Sequence, residues 1–576
     1  MTAIVGIVGQ GSLAEVRNMV ARMSYRGPAQ RVWSPAANVY FGEVGHQVGT
    51  DSQDTIALTT SMPRLTDGDA PRKAMADGLN HDLVGGLRSL QCDFALAAVG
   101  DDGDRSVVLA VDQLAYRSLY VMRLPTRWIF ASDYKALLAL ADCPAAVDRD
   151  AMQYFLRYGR CATNDSLLAG AQRLARGQML RLRGGHSVVE SYVDTAAMNA
   201  VGLRPISARA VREKLESIVI RQLKGRARVA VTLSGGFDST SLVALVRHVR
   251  PDIRIATYTI GYGPDDPEIL GARRSAEHFK TEHHDTFFSN PELERLLPQY
   301  LWLTENLGGR GQAIMQQQIA RKVAEREDVL MAGHTADMLF GGMPRHRLLW
   351  IADHSPPPIR GALREVFVYT QIRTVPKSRL GRRLAKLAQG EEPSEGLRIL
   401  GSRMPEWPER LTTLDGYRAE HWTTDSIRYD ETAVDCGGLS VLTPFADPEL
   451  RDVALGLPGS SLINVRRQKR ILRESLADLL PAFLLRRPKA IQKLRHDDDL
   501  SRTLERLASS LDLDRSLSDR GLIANNAADS ILKGWHGQYT ETALHDIWGL
   551  ICAELWMRTF CDHRGEALAD PATESQ

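Results

Sequence analysis

The chain has 576 residues, 44% of them apolar and 25% charged, which is ordinary globular composition with ample material for a large core. At roughly 150 residues per domain, that length allows two to four domains. Its 72 Lys and Arg against 70 Asp and Glu leave a net charge of +2, so no bulk electrostatic case exists for a nucleic-acid or membrane partner. Six cysteines are scattered at positions 92, 143, 161, 436, 552 and 561, with no CxxC pair, and no histidine cluster has zinc-ligand spacing. Such sparse cysteine points to a reducing compartment. There is no signal-peptide pattern at the N-terminus and no run of about 18 apolar residues, so the expected location is cytoplasmic.

In chain order, residues 1–203 read as strand-rich. Short apolar runs at Ile4 to Val8, Phe94 to Val99, Val107 to Val111, Leu119 to Met122 and Trp128 to Ala131 sit between Gly, Asp and Pro punctuation. Helical patches over Leu13 to Met23 and Asp133 to Ala141 interrupt them, a mixture that suits a layered α+β domain. From residue 204 the pattern changes. A helix is predicted over Ala208 to Leu223, then strand Arg228 to Leu233, helix Ser239 to Val249, strand Ile253 to Ile260, helix Ile269 to His278 and strand Val329 to Ala332. That alternation predicts a doubly wound, mostly parallel sheet in a second domain over residues 204–576. Residues 354–440 are irregular and read as helices and loops covering a site.

The most informative segment is Val231-Thr-Leu-Ser-Gly-Gly-Phe-Asp-Ser-Thr240. A β run ends at Leu233, Gly235 and Gly236 follow, and a helix begins near Asp238. Backbone N–H groups and a helix N-terminus then face one place, which favours a phosphate. Ser234 and Ser239 add hydroxyl donors. Asp238 repels an anion, so it makes sense as a magnesium ligand. The plain alternative is a strand–turn–helix with a capping Asp. No Walker signature is present.

The pattern resembles the pyrophosphate loop of the N-type ATP pyrophosphatases, and the likeness widens to the asparagine synthetase superfamily, including β-lactam synthetases and lasso-peptide cyclases. Ala256-Thr-Tyr-Thr-Ile-Gly261 resembles the strand whose backbone contacts adenine, which places Thr259 at the nucleotide. Asp265-Asp266-Pro267-Glu268 resembles the family's acidic turn. Met331-Ala-Gly-His-Thr-Ala-Asp-Met-Leu-Phe-Gly-Gly342 resembles the segment carrying a second magnesium aspartate, here Asp337, with Gly333 at the nucleotide. Leu442-Thr-Pro-Phe-Ala-Asp447 resembles the "PF.D" element. Arg486-Arg-Pro-Lys489 resembles the segment that supplies a catalytic lysine, with Lys493 one helical turn away as a substitute. The resemblance thus implies ATP and Mg2+ as cofactors. Leu233, Ser234, Gly235, Gly236, Asp238, Ser239 and Thr240 would form the phosphate loop, Asp238 and Asp337 the metal ligands, and Lys489 the neutraliser of developing negative charge.

His334 is the discriminating position. Asparagine synthetases carry Glu there and β-lactam synthetases Tyr, whereas lasso-peptide cyclases can have Gly-His, as in Gly333-His334. A neutral imidazole could accept the attacking amine's proton, orient the carboxylate, or be structural. Glu365 and Tyr369 are candidates for an acidic partner.

Tyr25-Arg26-Gly27-Pro28, Asp112 to Tyr120 and Ala131-Ser132-Asp133-Tyr134-Lys135-Ala136 resemble glutaminase-type N-terminal domains, which implies an Ntn-hydrolase-like αββα sandwich over residues 1–203. Thr2 stands where that family has its nucleophilic cysteine, and the segment that shapes the glutamine pocket has no counterpart between 45 and 90, so an inactive glutaminase is expected. The amine then comes from the substrate. The reading that follows is an AMP-forming amide synthetase, most specifically a lasso-peptide macrolactam cyclase. It would act with a leader-peptide-binding protein and a precursor protease as partners. A C-terminal run, His545-Asp-Ile-Trp-Gly-Leu-Ile-Cys-Ala-Glu-Leu-Trp556, resembles the ending of such cyclases. The alternatives are a β-lactam synthetase-like enzyme on a small amino acid, an asparagine synthetase using external ammonia, and an inactive scaffold.

Overall fold

The computed structural model describes residues 2–46, 48–49, 55–59, 82–90, 93–100, 106–159, 161, 166–183, 185–193, 204–307, 311–372, 374–389, 407–421, 433, 436, 439–464, 466–486, 494–534 and 541–568. The N-terminal part is built from strands β1 (Ala3–Gly9), β2 (Ala29–Ala36), β3 (Val39–Gly45), β4 (Ile56–Thr59), β5 (Ala95–Val99), β6 (Val107–Val111), β7 (Tyr120–Leu124), β8 (Arg127–Ala131), β9 (Ala171–Arg173), β10 (Gln178–Arg183) and β11 (His186–Ser191). Among the described residues they form two antiparallel sheets, ordered β2-β3-β1-β8-β7-β9 and β11-β10-β6-β5-β4. The period-2 side-chain alternation explains how the sheets stack. On β1, Ile4 faces inward and meets Phe41, Ala97, Leu109 and Phe130 between the sheets. Val5 and Ile7 face outward against Val16 and Met19 of helix α1 (Leu13–Ala21). On the far side, Leu58, Leu96 and Ala110 pack beneath Leu87 of helix α2 (Leu83–Ser89). The result is the expected αββα, Ntn-hydrolase-like sandwich.

The helix predicted over Asp133 to Ala141 is shorter in the structure: α3 covers only Tyr134–Leu137. The Arg564 guanidinium gathers the carbonyls of Leu138, Leu140 and Cys143 at 3.4, 2.8 and 3.0 Å. The chain after α3 continues in short turns, with Ala139 N–H donating to Ala136 O, Leu140 N–H to Leu137 O and Cys143 N–H to Leu140 O at 3.3, 3.1 and 3.1 Å.

The parallel sheet contains β12 (Arg228–Thr232), β13 (Arg254–Gly261), β14 (Glu282–Phe287), β15 (Val329–Met331) and β16 (Ser440–Leu442), ordered β14-β13-β12-β15-β16. Both faces are covered, as a parallel sheet requires. Val229 and Val231 pack under Leu242 and Leu245 of α4 (Phe237–Val249), while Ala230 faces Leu296 of α5 (Leu293–Thr304). After β14 the chain crosses back to β15 on the other side of β12. The strand order therefore reverses between β12 and β15, and a crevice opens at their carboxyl ends. Four further helices matter below: α6 (Ala336–Leu339), α7 (Leu414–His421), α8 (Arg470–Ser475) and α9 (Glu541–Met557). No described helix is long and apolar enough to cross a membrane.

The sandwich and the parallel-sheet part meet at a buried polar junction. Glu305, just past α5, adopts φ +57° and accepts the N–H groups of Tyr134 and Lys135 at 2.8 and 2.7 Å. It thereby caps α3 from the other part of the chain. The Lys135 ammonium lies 3.5 Å from Glu305 and donates to the Tyr25 hydroxyl at 2.7 Å and the Leu303 carbonyl at 3.2 Å. Tyr25 in turn donates to Asp133 at 2.6 Å, and Arg26 pairs with the same carboxylate. Burial pushes the Glu305 carboxyl up, while Lys135 opposes it. Glu305→Ala leaves the Lys135 charge buried without this carboxylate, so it is expected to cost about 3–5 kcal/mol in chemical denaturation. The double variant Glu305→Leu with Lys135→Met is expected to recover most of that loss. Equal losses in single and double variants would show that the charges are not what holds the junction.

Candidate active site

The crevice at the reversal point brings two loops together. Leu233 is buried, and its N–H donates to the Tyr258 carbonyl at 2.8 Å, carrying the sheet one residue beyond β12. Gly235 then turns with φ +63°, and a Cβ there would lie 2.2 Å from the Gly271 carbonyl carbon, so a side chain has no room. Gly236 opens α4 without a side-chain cap, which leaves the first-turn N–H groups for an anion. Serine hydroxyls brace the loop. Ser234 N–H donates to Ser239 Oγ at 3.2 Å, and Gly236 N–H to Ser234 Oγ at 3.3 Å. Asp238 sits in the first turn of α4, where the helix end favours its charge. Thr240 is buried, and its hydroxyl lies 3.5 Å from Ser275 Oγ, turned toward the helix Pro267–Phe279. Thr259 is buried on β13, one strand from β12.

The second loop leaves β15. The place a Cβ would take on Gly333 is 3.2 Å from Ser239 N, so the two loops lie in contact. Thr335 is buried with φ +72°, a conformation that costs a β-branched residue of order 1–3 kcal/mol. That turn starts α6, whose first turn carries Asp337. Arg418 of α7 holds the other end of α6, donating to the Leu339 carbonyl at 2.5 and 3.0 Å and to Ala454 at 2.7 Å. Burial lowers the Arg418 guanidinium to about 10, with Asp415 opposing.

Asp238 and Asp337 are joined by a residue that sequence reasoning missed. Lys469 Nζ lies 2.5 Å from both oxygens of Asp238 and 2.5 Å from Asp337 Oδ1. Burial works against the ammonium, but Asp238 and then Asp337 outweigh it and raise its pKa. Gln468 staples this segment down, donating to the carbonyls of Gly341 and Met343 at 2.9 and 2.8 Å. Arg473 on α8 lies over the Phe237 ring at 4.4 Å, at the start of α4. The sequence signal was present: Arg466, Arg467, Lys469, Arg470 and Arg473 crowd one short stretch of a nearly neutral chain. Asp238 and Asp337 therefore converge as expected. Lys489 and Lys493 lie outside the described residues. Glu365 is engaged elsewhere, accepting from Ser378 N–H at 3.0 Å and Ser378 Oγ at 2.6 Å, and Tyr369 is buried in a side cluster with Val366 and Ala385. Asp266 and Asp447 serve as helix caps, accepting from Glu268 and Glu449 N–H groups at 2.8 and 3.0 Å.

Residues 210–558 match the family model described as asparagine synthase, and residues 84–193 match the glutamine amidotransferase domain. The chain belongs to the asparagine synthase family. A putative glutamine-hydrolysing asparagine synthetase of Mycobacterium tuberculosis is 25% identical over 91% of this chain and 84% of its own length. Asparagine synthetase 3 of Bacillus subtilis is 22% identical over 77% and 75%. The carboxyethyl-arginine beta-lactam-synthase of Streptomyces clavuligerus is 25% identical over 68% and 63%. As a member of the asparagine synthase family, the chain is an ATP-dependent, amide-forming ligase.

His334 is on the second loop, partly buried, and burial lowers its pKa from 6.5 to about 3, with Asp337 opposing. So low a value favours orientation by hydrogen bonding over holding a proton. A ring kept neutral in the fold contributes stability that is fully present above pH 6.5 and is lost as the pH falls toward 3. His334→Asn is therefore expected to shrink the drop in melting temperature between about pH 7 and about pH 4.5. Equal drops in the two proteins would show that the ring titrates freely.

Proposed function

We propose that the chain is a lasso-peptide macrolactam cyclase, which adenylates an Asp or Glu side chain of a peptide and lets the peptide's N-terminal amine close the ring. One observation carries the reading. The converging carboxylates and a phosphate loop suited to adenylation are present, yet Thr2, just ahead of β1, stands where glutaminase-type domains carry the cysteine that releases ammonia from glutamine. The amine then has to come with the substrate. Gly333-His334, on the loop that leads to Asp337, resembles the pair that lasso-peptide cyclases can carry and so supports a peptide carboxylate over free aspartate. On this reading the glutaminase-like part, residues 1–203, is inactive and supports the synthetase part, residues 204–576, through the Glu305 junction. Free precursor peptides imply a leader-peptide-binding protein and a protease as partners.

The donor set suits magnesium. Asp238 and Asp337 are hard oxygen ligands already gathered around a cation, and no group of three or more His, Cys, Asp or Glu forms a metal cage among the described residues. That matches an ion which takes its remaining ligands from water and phosphate. Mg2+ bound there would neutralise charge on the departing pyrophosphate. Ser234, Ser239 and the first-turn N–H groups of α4 hold the phosphates, with Leu233, Gly235, Gly236 and Gly333 giving close backbone approach and Thr259 flanking the nucleotide. Lys489 stabilises the negative charge that builds on the α-phosphate and on the tetrahedral intermediate. His334 hydrogen-bonds the reacting groups and keeps the amine aligned.

The test is pyrophosphate release from Mg-ATP, paired with intact mass of linear peptides that have a free N-terminus and an internal Asp or Glu. Pyrophosphate with loss of one water from the peptide is the expected result. Asp238→Asn and Lys489→Ala are each expected to lower turnover about a hundredfold or more while the fold is kept. Dehydration of small β-amino acids alone would replace the proposal with a β-lactam synthetase-like activity, and asparagine from aspartate with ammonia would return the chain to asparagine formation.

A further inference from the structure

We infer that Lys469 is a built-in stand-in for the divalent cation: its ammonium fills the seat between Asp238 and Asp337 and must leave before metal can load. The inference rests on the reading of those two aspartates as metal ligands.

The geometry is that of an occupied seat. One ammonium contacts three carboxylate oxygens at 2.5 Å, and the Lys469 side chain is only 6% exposed. The seat is closed at the back. A Cβ on Gly342 would lie 1.9 Å from Asp337 Oδ1 and 2.1 Å from Lys469 Cε. Gly342 thus packs directly against Asp337 and the Lys469 stem, leaving no room for the ammonium to move to that side. The lysine backbone need not move. Gln468 is held by two carbonyls, and the Lys469 carbonyl accepts from Arg473 N–H at 2.9 Å, while the side chain keeps four rotatable bonds.

Charge explains the purpose. Two carboxylates close together repel, and the ammonium lets them stay converged without metal. A divalent ion cannot share the seat with it, since like charges at that separation repel strongly. Free metal therefore binds only in the fraction of molecules whose lysine has swung out, and its apparent affinity falls by that fraction. Polyphosphate changes the balance, because its oxygens give the ammonium a new partner as metal arrives. Metal and nucleotide thus load together, and Lys469 ends beside the phosphates.

Mn2+ titration followed by electron paramagnetic resonance tests this in the nucleotide-free full chain and with α,β-methylene-ATP, without any acceptor substrate. Lys469→Met is expected to bind free Mn2+ about tenfold or more tightly than the wild type. It is expected to bind Mn2+ with α,β-methylene-ATP more weakly. Those opposite signs separate a seat-filling role from general destabilisation, and thermal melts check the fold. Should Lys469→Met not fold, Lys469→Gln, which keeps donors but no charge, carries the same comparison. Free Mn2+ affinity that is unchanged or weaker in the neutral variant overturns the inference. A wild type that takes up no Mn2+ even with nucleotide overturns the metal assignment and the inference together. The cyclase reading is judged separately by peptide mass.

Discussion

A lysine ammonium enclosed by carboxylates is the interaction on which both halves of the molecule depend, and the chain uses it twice. At the junction, Lys135 is fully buried between Asp133 and Glu305, with the Tyr25 hydroxyl and the Leu303 carbonyl completing its shell. In the crevice, Lys469 is bound by Asp238 and Asp337. The surroundings set the difference in role. Lys135 donates to neutral oxygens as well as facing acids, and it lies over the rings of Tyr25 and Trp302 at 4.7 and 5.1 Å, so it has every reason to stay. Lys469 has nearby charge partners that a metal can displace it from.

The junction also explains how the N-terminal sandwich is tied to the parallel-sheet part. Glu305 caps α3, Trp556 of α9 donates to the Tyr134 hydroxyl, and the hydrophobic cluster beneath runs without a break from Val5 and Ile7 to Leu296 and Ile551. Removing the sandwich would expose that continuous apolar surface and strand the buried Glu305. The sandwich is therefore part of the core of the parallel-sheet half.

How much was legible in the sequence depends on distance along the chain. The phosphate loop was readable because a strand end, two glycines and a helix start are adjacent, and each states its conformation locally. Asp337 was readable only through the resemblance of the run Met331 to Gly342 to the family's second aspartate segment. The bridge from Lys469 to Asp238 spans 231 residues, and no local pattern encodes such a contact. The same holds for Arg564, which gathers the carbonyls following α3 from the far end of the chain, and for Arg418, which fixes α6 across 79 residues. The layered fold was legible because alternation and helical period are themselves local. The sequence left His334 open between proton acceptor, orienting group and structural residue, and the burial that lowers its pKa is not encoded in composition.

The parallel sheet is not uniform, and the asymmetry runs through the crevice. β12 pairs with β13 over five residue pairs, but with β15 over two, and β15 and β16 are three residues each. The Asp238 side thus rests on the long half of the sheet and the Asp337 side on the short half. Fewer ladder bonds mean a lower free energy of local opening. Amide protons of Val329 to Met331 then exchange with solvent ahead of those in β12 and β13. Thermal breathing of the sheet is thus expected to begin on the Asp337 wall of the crevice, ahead of the Asp238 wall.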